Sequence, residues 1–194
     1  HRKSYPEVLP KASLHYRWSE RLVQYASFTK GYKSGGFNST FERRADQTYK
    51  PEYSLNYEGG FKWSGKRFSA NIAAYHIDIK DKQVYQVDTL SQGPLLKNAA
   101  EAYSRGVEVE LQHRTARGWN NQFSFGYTQA QYEKYVKDPA KDLDHSGNFL
   151  PYVPRYTFTL ATNYRHVFRN SLVNELQVHG SYHGIGKHYW NDAN

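Results

Sequence analysis

The sequence predicts an all-β fold, an antiparallel up-and-down transmembrane β-barrel with long external loops and short turns at the opposite end. Three observations carry this. Eight segments have strand character, most with apolar and polar residues alternating; their connections alternate between short and long; and three of the four tryptophans sit beside the short connections. A period of two marks a strand with unlike faces, and strands joined by alternating tight turns and long loops form a meander.

Taken in order, residues 12–18 set Ala12, Leu14, Tyr16 and Trp18 against Ser13, His15 and Arg17. Segment 22–32 is strand-like but mixed in phase, as is 67–87, so bulges are expected in both. In 53–63, Tyr53, Leu55, Tyr57, Phe61 and Trp63 oppose Ser54, Asn56, Glu58 and Lys62. In 105–114, Val107, Val109 and Leu111 alternate with Glu108, Glu110 and Gln112. Segment 119–128 places Trp119, Phe123, Phe125 and Tyr127 opposite Asn120, Gln122, Ser124 and Thr128. In 156–164, Tyr156, Phe158, Leu160 and Tyr164 oppose Thr157, Thr159 and Asn163; in 172–182, Leu172, Leu176, Val178 and Tyr182 oppose Glu175, Gln177 and His179. Short polar turns fall near 19–21, 64–66, 115–118 and 167–170, and long polar loops at about 33–50, 88–98 and 136–150.

Composition narrows the class. The 194 residues include 18 Tyr, 10 Phe and 4 Trp at a mean hydropathy of −0.89, too many rings for a disordered chain. No run approaches the ~18 to 20 consecutive apolar residues of a membrane helix, which excludes a helical membrane protein. It leaves a membrane barrel, whose strands need only every second residue apolar. The absence of Cys removes disulfides, thiolate catalysis and cysteine-based zinc sites. Met is absent even at position 1 and no export leader is visible, so the sequence is expected to be a piece of something longer. The formal charge of +8 suits nucleic acid, anionic lipid or an anionic ligand, but the basic residues form no tract beyond Arg43-Arg44.

A soluble sandwich explains any one alternating segment equally well, and the tryptophans separate the two. Trp18, Trp63 and Trp119 each lie on the apolar face of a strand next to a short turn, which would set them at one level. Indoles gather where one end is apolar and the other wet, as at a membrane interface. The stretch from Trp119 to Tyr135 extends roughly 55 Å at about 3.3 Å per residue, so even tilted it overruns an apolar band about 25 Å tall. Lipid is therefore expected against Leu14, Tyr16, Trp18, Leu55, Phe61, Trp63, Val107, Val109, Leu111, Trp119, Phe123, Phe125, Phe158, Leu160, Leu176 and Val178. Glu108, Glu110 and Gln112 then face a polar lumen, and a closed barrel is required to pair every backbone group in lipid.

The motifs YASFTKGYKSGGFN (25–38), PEYSLNYEGGFKW (51–63), AAYHIDIKDKQVYQV (73–87), LKNAAEAYSRGVEVEL (96–111) and GNFLPYVPRYTF (147–158) resemble, in order, those of TonB-dependent outer-membrane receptors. The likeness covers about residues 9–190 and is greatest to ferric-siderophore receptors of the pesticin and yersiniabactin type. It implies a barrel of about 22 strands, plugged by an N-terminal domain, that imports an iron chelate with TonB-supplied energy. With eight strands, no visible plug or TonB box and no terminal aromatic residue, residues 1–194 are expected to be an internal part of such a barrel domain. The implied partners are outer-membrane lipid and lipopolysaccharide, the TonB complex acting through the plug, and the chelate; no cofactor and no nucleic acid are expected.

Transport of this kind needs no bond chemistry from the barrel, and no enzyme constellation stands out. His179, His183 and His188 tempt a metal reading, but strand positions i and i+4 are about 13 Å apart, beyond the reach of one ion with ~2.1 Å bonds. Glu108 and Glu110, about 6.6 Å apart, read as lumen carboxylates paired with basic groups of neighbouring strands or plug, as do Glu58 and Arg155. Gly35-Gly36 is expected to permit a turn, and Gly106 a bulge or a close approach of the plug. Ligand capture is assigned to Tyr32, Arg43, Arg44, Tyr49, Tyr85 and Tyr152 at the external end, because Arg offers paired donors to an anionic chelate and rings stack on catecholate or heteroaromatic groups. The competing classes are a small eight-stranded outer-membrane barrel with a structural or adhesive role, a barrel enzyme, and a nucleic-acid binder. The last requires cations gathered on one face, whereas these polar faces mix both signs.

Overall fold

The computed structural model describes residues 4–38, 47–87, 94–115, 118–138, 143–169 and 172–194. Eight long strands form one antiparallel sheet: β1 (Lys11–Arg17), β2 (Leu22–Lys33), β5 (Glu52–Ser64), β6 (Phe68–Val87), β7 (Pro94–Arg114), β8 (Trp119–Lys134), β11 (Tyr156–Val167) and β12 (Glu175–Ile185). Each pairs with the next in chain order, and β1 and β12 are the two edges. A complete eight-stranded barrel would join those edges; this sheet is open. Two small hairpins lie in the long connections, β3 (Gly36–Phe37) with β4 (Thr48–Tyr49), and β9 (Val136–Asp138) with β10 (Leu143–Asp144).

Register fixes which side chains share a face, because directly paired residues point the same way. One row runs Tyr16, Gln24, Phe61, Ile72, Val109, Phe125, Phe158 and Gly184 across all eight strands. One residue up, the opposite face runs His15, Tyr25, Gly60, Ala73, Glu108, Gly126, Thr157 and Ile185. The first row is the more apolar, outer face and the second the more polar, inner face.

The sheet is sheared. Trp63 is in register with Ala70, Leu111 and Phe123, yet the tryptophan of β8 is Trp119, four residues nearer its turn. Closing tilted strands into a barrel requires a stagger of register, which allows indoles four residues apart in register to lie near one height.

Several boundaries differ from the sequence reading. β2 pairs without interruption and holds no bulge; its phase looks mixed because Val23 and Tyr25 belong to the lumen face. The irregularity lies in β6, where Asp81 adopts φ 53° and the pairing with β7 shifts. β7 begins at Pro94, inside the stretch expected to be loop, and Leu172 lies in the turn before β12.

Above the apolar belt the two faces exchange character. Outward positions become His76, Asp78, Tyr103, Arg105, Gln129 and Gln131, while inward ones become Ile77, Ile79, Ala102, Ala130 and Tyr132. Of these, Ala102, Ala130 and Tyr132 form a small core with Val84, Ala100, Tyr135 and Leu150, against which Ile79, Ala99 and Val153 pack. Segment 143–155 supplies its cover: Leu150 N–H donates to the Ala130 carbonyl and Tyr132 N–H to the Asn148 carbonyl, each at 2.9 Å.

Candidate ligand-facing lumen and external vestibule

The lumen wall is a polar lattice held by local partners. The Tyr25 hydroxyl donates to Glu58 at 2.7 Å, Tyr75 and Thr128 share a hydrogen bond of 2.8 Å, and the Asn71 amide donates to Glu110 at 3.1 Å. Glu108 is flanked in register by Ala73 and Gly126, which leaves its carboxylate standing above a smooth floor. Two glycines make room for the rings beside it. A Cβ on Gly60 would sit 2.8 Å from the Tyr25 ring, and one on Gly106 would sit 2.7 Å from the Tyr75 hydroxyl and 2.2 Å from the Tyr127 carbonyl. Gly106 therefore accommodates Tyr75 and marks no bulge, since pairing continues unbroken through it.

Toward the periplasmic end of β11 and β12, His179 bonds Asn163 at 2.7 Å and Arg165 pairs with Glu175 at 2.7 Å. His183 meets Thr159 at 3.0 Å, and His188 lies edge-on to Trp190 at 5.0 Å. Among the described residues, no three His, Asp or Glu groups come close enough to share an ion.

At the external end, the Tyr132 hydroxyl donates to Asp192 at 2.6 Å; burial first, then that carboxylate, raises its pKa. The Ser146 hydroxyl and backbone N–H hold Asp144 below the usual carboxylate range. Segment 4–10 crosses the outer side of β2 and β5, where Glu7 accepts from Tyr53 at 2.6 Å and from Lys30 at 3.2 Å. Those two bonds, Tyr53 the stronger, hold Glu7 below its ordinary value of 4.5.

Of the six residues assigned to ligand capture, the four among the described residues do not share one site. Arg43 and Arg44 lie outside the described residues. Tyr32 is in register with Tyr53 on the outer face, its ring 5.8 Å from that of Tyr53 and its hydroxyl donating to the Tyr5 carbonyl at 3.4 Å. It therefore stands outside the wall, because the unbroken register of β2 keeps it on the face of Leu22 and Phe28. Tyr49 in β4 packs on Gly36, which is a strand residue there and no turn. Tyr85 is 71 % exposed near the top of β6, and Tyr152 is 66 % exposed, edge-on to Trp190 at 5.8 Å.

The sixteen residues assigned to lipid share one face, with Trp18 continuing β1 into its turn. Leu55 is the exception in height, lying in the row of Lys30, Asp78 and Tyr103 above the apolar belt. Ile72, Ala74 and Phe28 complete the same surface and were hidden in the segments of mixed phase. Arg155 continues the inner-face register, its carbonyl accepting from Thr128 at 2.9 Å, and its guanidinium lies over the Phe149 ring at 4.5 Å rather than beside a carboxylate. The chain leaves regular strand geometry at 151–154, where Tyr152 has φ 62° between Pro151 and Pro154.

An open, sheared, antiparallel sheet with an apolar outer belt and a charged inner wall defines a section of an outer-membrane β-barrel. The family model for TonB dependent receptor-like β-barrels matches residues 1–194, and the chain belongs to that family. Its place is the bacterial outer membrane. The chain is 30% identical over 151 residues to a pesticin receptor of Yersinia pestis, covering 77% of this chain and 21% of that protein. It is likewise 30% identical over 169 residues to a ferric-pyoverdine 358 receptor of Pseudomonas putida, covering 81% and 18%. Among solved structures, the ferric yersiniabactin uptake receptor FyuA of Yersinia pestis superposes with a TM-score of 0.78 at 26% identity over 97% of this chain and 27% of that one. The chain spans about a fifth of the length of these curated relatives.

Proposed function

We propose that this chain forms part of the wall of a receptor that binds a ferric siderophore at the cell surface and imports it with energy supplied through TonB. Residues 1–194 belong to its barrel domain, with the plug and the remaining strands contributed from outside this segment. The family match along residues 1–194 is the observation that supports this reading. A relative named as a ferric-pyoverdine receptor and a solved structure named as a ferric yersiniabactin uptake receptor support the chelate class.

In this reading Glu58, Glu108 and Glu110 face the plug, and Glu108, lacking a hydrogen-bonding neighbour in its row, offers the plug a carboxylate. Tyr49, Tyr85, Tyr152, Arg43 and Arg44 remain the proposed chelate contacts; Tyr32 does not. The wall performs no bond chemistry.

The test is uptake of radioactive iron by a strain deleted for the whole gene, supplied with a panel of ferric chelates. Loss of uptake for one chelate, restored by the gene and abolished by removing TonB, is the expected result. Unchanged uptake across a panel that includes thiazoline, catecholate and hydroxamate chelates rejects it. The eight-stranded structural barrel is not favoured, because β1 and β12 do not meet.

A further inference from the structure

At the periplasmic end of the wall, two arginines stand directly opposite each other. Phe68 pairs with His113 on the outer face, and one residue on, the Arg114 N–H donates to the Arg67 carbonyl at 2.7 Å. Side chains alternate along a strand, so Arg67 and Arg114 both turn to the inner face. Like charges directly opposite each other weaken an antiparallel pair. Lys66, beside Arg67 in the turn between β5 and β6, adds a third cation.

Among the described residues no carboxylate pairs with Lys66, Arg67 or Arg114. Glu110, the first acid back along β7 from Arg114, is four residues away, roughly 13 Å along the strand, and already accepts from Asn71 at 3.1 Å. By contrast, Arg165 on the inner face of β11 is paired with Glu175 at 2.7 Å. The three cations line a hollow of about 270 Å³ together with Ser64 and Ser69, which are paired in register on the same inner face. Guanidinium, ammonium and hydroxyl groups all donate hydrogen bonds, so the hollow gathers donors and positive charge without an acid to match them.

We propose that Lys66, Arg67 and Arg114 form a binding site for one carboxylate or phosphate group of a small anionic solute at the periplasmic mouth of the lumen. Guanidinium groups present paired donors that fit two oxygens of such a group, and the lysine adds a point charge. An anion seated between the arginines replaces one repulsion by two attractions. A phospholipid headgroup meets the other face of the wall, where the rings of Trp63 and Phe68 lie 5.4 Å apart. The proposal rests on the inward register of the two arginines and is independent of what the receptor imports.

The experiment follows heat unfolding of the intact receptor in detergent, in inorganic phosphate, in citrate and in sodium chloride at one pH and one ionic strength. A ligand that binds only the folded state raises its stability, so phosphate and citrate are expected to raise the unfolding temperature above its value in chloride, at concentrations about tenfold lower for the unaltered receptor than for Arg67→Gln with Arg114→Gln. General salting effects act on both proteins alike. Arg67→Lys with Arg114→Lys keeps both charges and is expected to keep most of the shift, and Arg169→Gln, at the turn between β11 and β12, is expected to keep all of it. In chloride the double glutamine variant is expected to be at least as stable as the unaltered receptor, because it has lost a repulsion. Equal shifts in the two proteins overturn the proposal, as does the absence of a shift from both, which would mean that an acid of the plug fills the hollow. A double glutamine variant that is less stable in chloride, or that does not fold, shows the arginines partnered within the receptor and overturns it too. An equal loss in Arg169→Gln reduces the effect to net charge, and a shift abolished in phosphatidylglycerol but not phosphatidylcholine nanodiscs gives the site to a lipid headgroup; either result overturns the proposal.

Discussion

Gly106 has no room for a side chain. A Cβ would lie 2.2 Å from the Tyr127 carbonyl, which is backbone and cannot swing away. Gly106→Ala is expected to cost about 1–3 kcal/mol as the strand pair is forced apart, seen as a lower urea midpoint of the folded barrel in detergent. An unchanged midpoint would mean that β7 and β8 are less closely held than their pairing implies. Glu7 carries a pH prediction. Its folded pKa is depressed, so the stabilisation it gives segment 4–10 is present above about pH 4.5 and is lost as pH falls through the lower folded value. Protease sensitivity of that segment should rise below pH 4.5, and Glu7→Gln should make it sensitive at neutral pH as well. Neither residue's role was legible beforehand, because Tyr75, Tyr53 and Lys30 reach them from other strands and no local pattern records such partners.

At the scale of the strand, position in register decides what a charge costs. Val109 is outward and mid-belt, so Val109→Arg is expected to destabilise by roughly 2–4 kcal/mol, whereas Gln112→Arg, on the lumen face three residues on, should cost nearly nothing. Comparing the two urea midpoints tests the assignment of faces, and equal effects would refute it. The tryptophans test the shear. Bromine-labelled lipids should quench Trp63 and Trp119 at one common depth, although Trp63 is in register with Phe123. Where one face meets lipid and the other water, as in 105–114, period two was readable in sequence. It failed in 67–87, because above the belt β6 turns Ile77 and Ile79 inward, Ile79 onto a core, and His76 and Asp78 outward. A strand crossing from one solvent to another reverses its own pattern, and a sequence window spanning the crossing averages the two halves into noise. The candidate vestibule was less legible still: Tyr32 lies on the wrong side of the wall, and the Phe149–Tyr189 stack depends on a fold-back of 148–155 that its two prolines do not announce.

For the molecule as a whole, the open edges matter most. β1 offers seven residues and β12 eleven along borders that pair with nothing among the described residues. In hydrocarbon each orphaned amide costs several kcal/mol, so no stable half-inserted state exists for a sheet of this shape. Expressed without its neighbours, this segment is expected to associate border to border, which analytical ultracentrifugation in detergent would show as polydisperse oligomers beside a monodisperse intact receptor. Biogenesis inherits the same constraint: entry into the bilayer has to be cooperative, the ring sealing as it sinks.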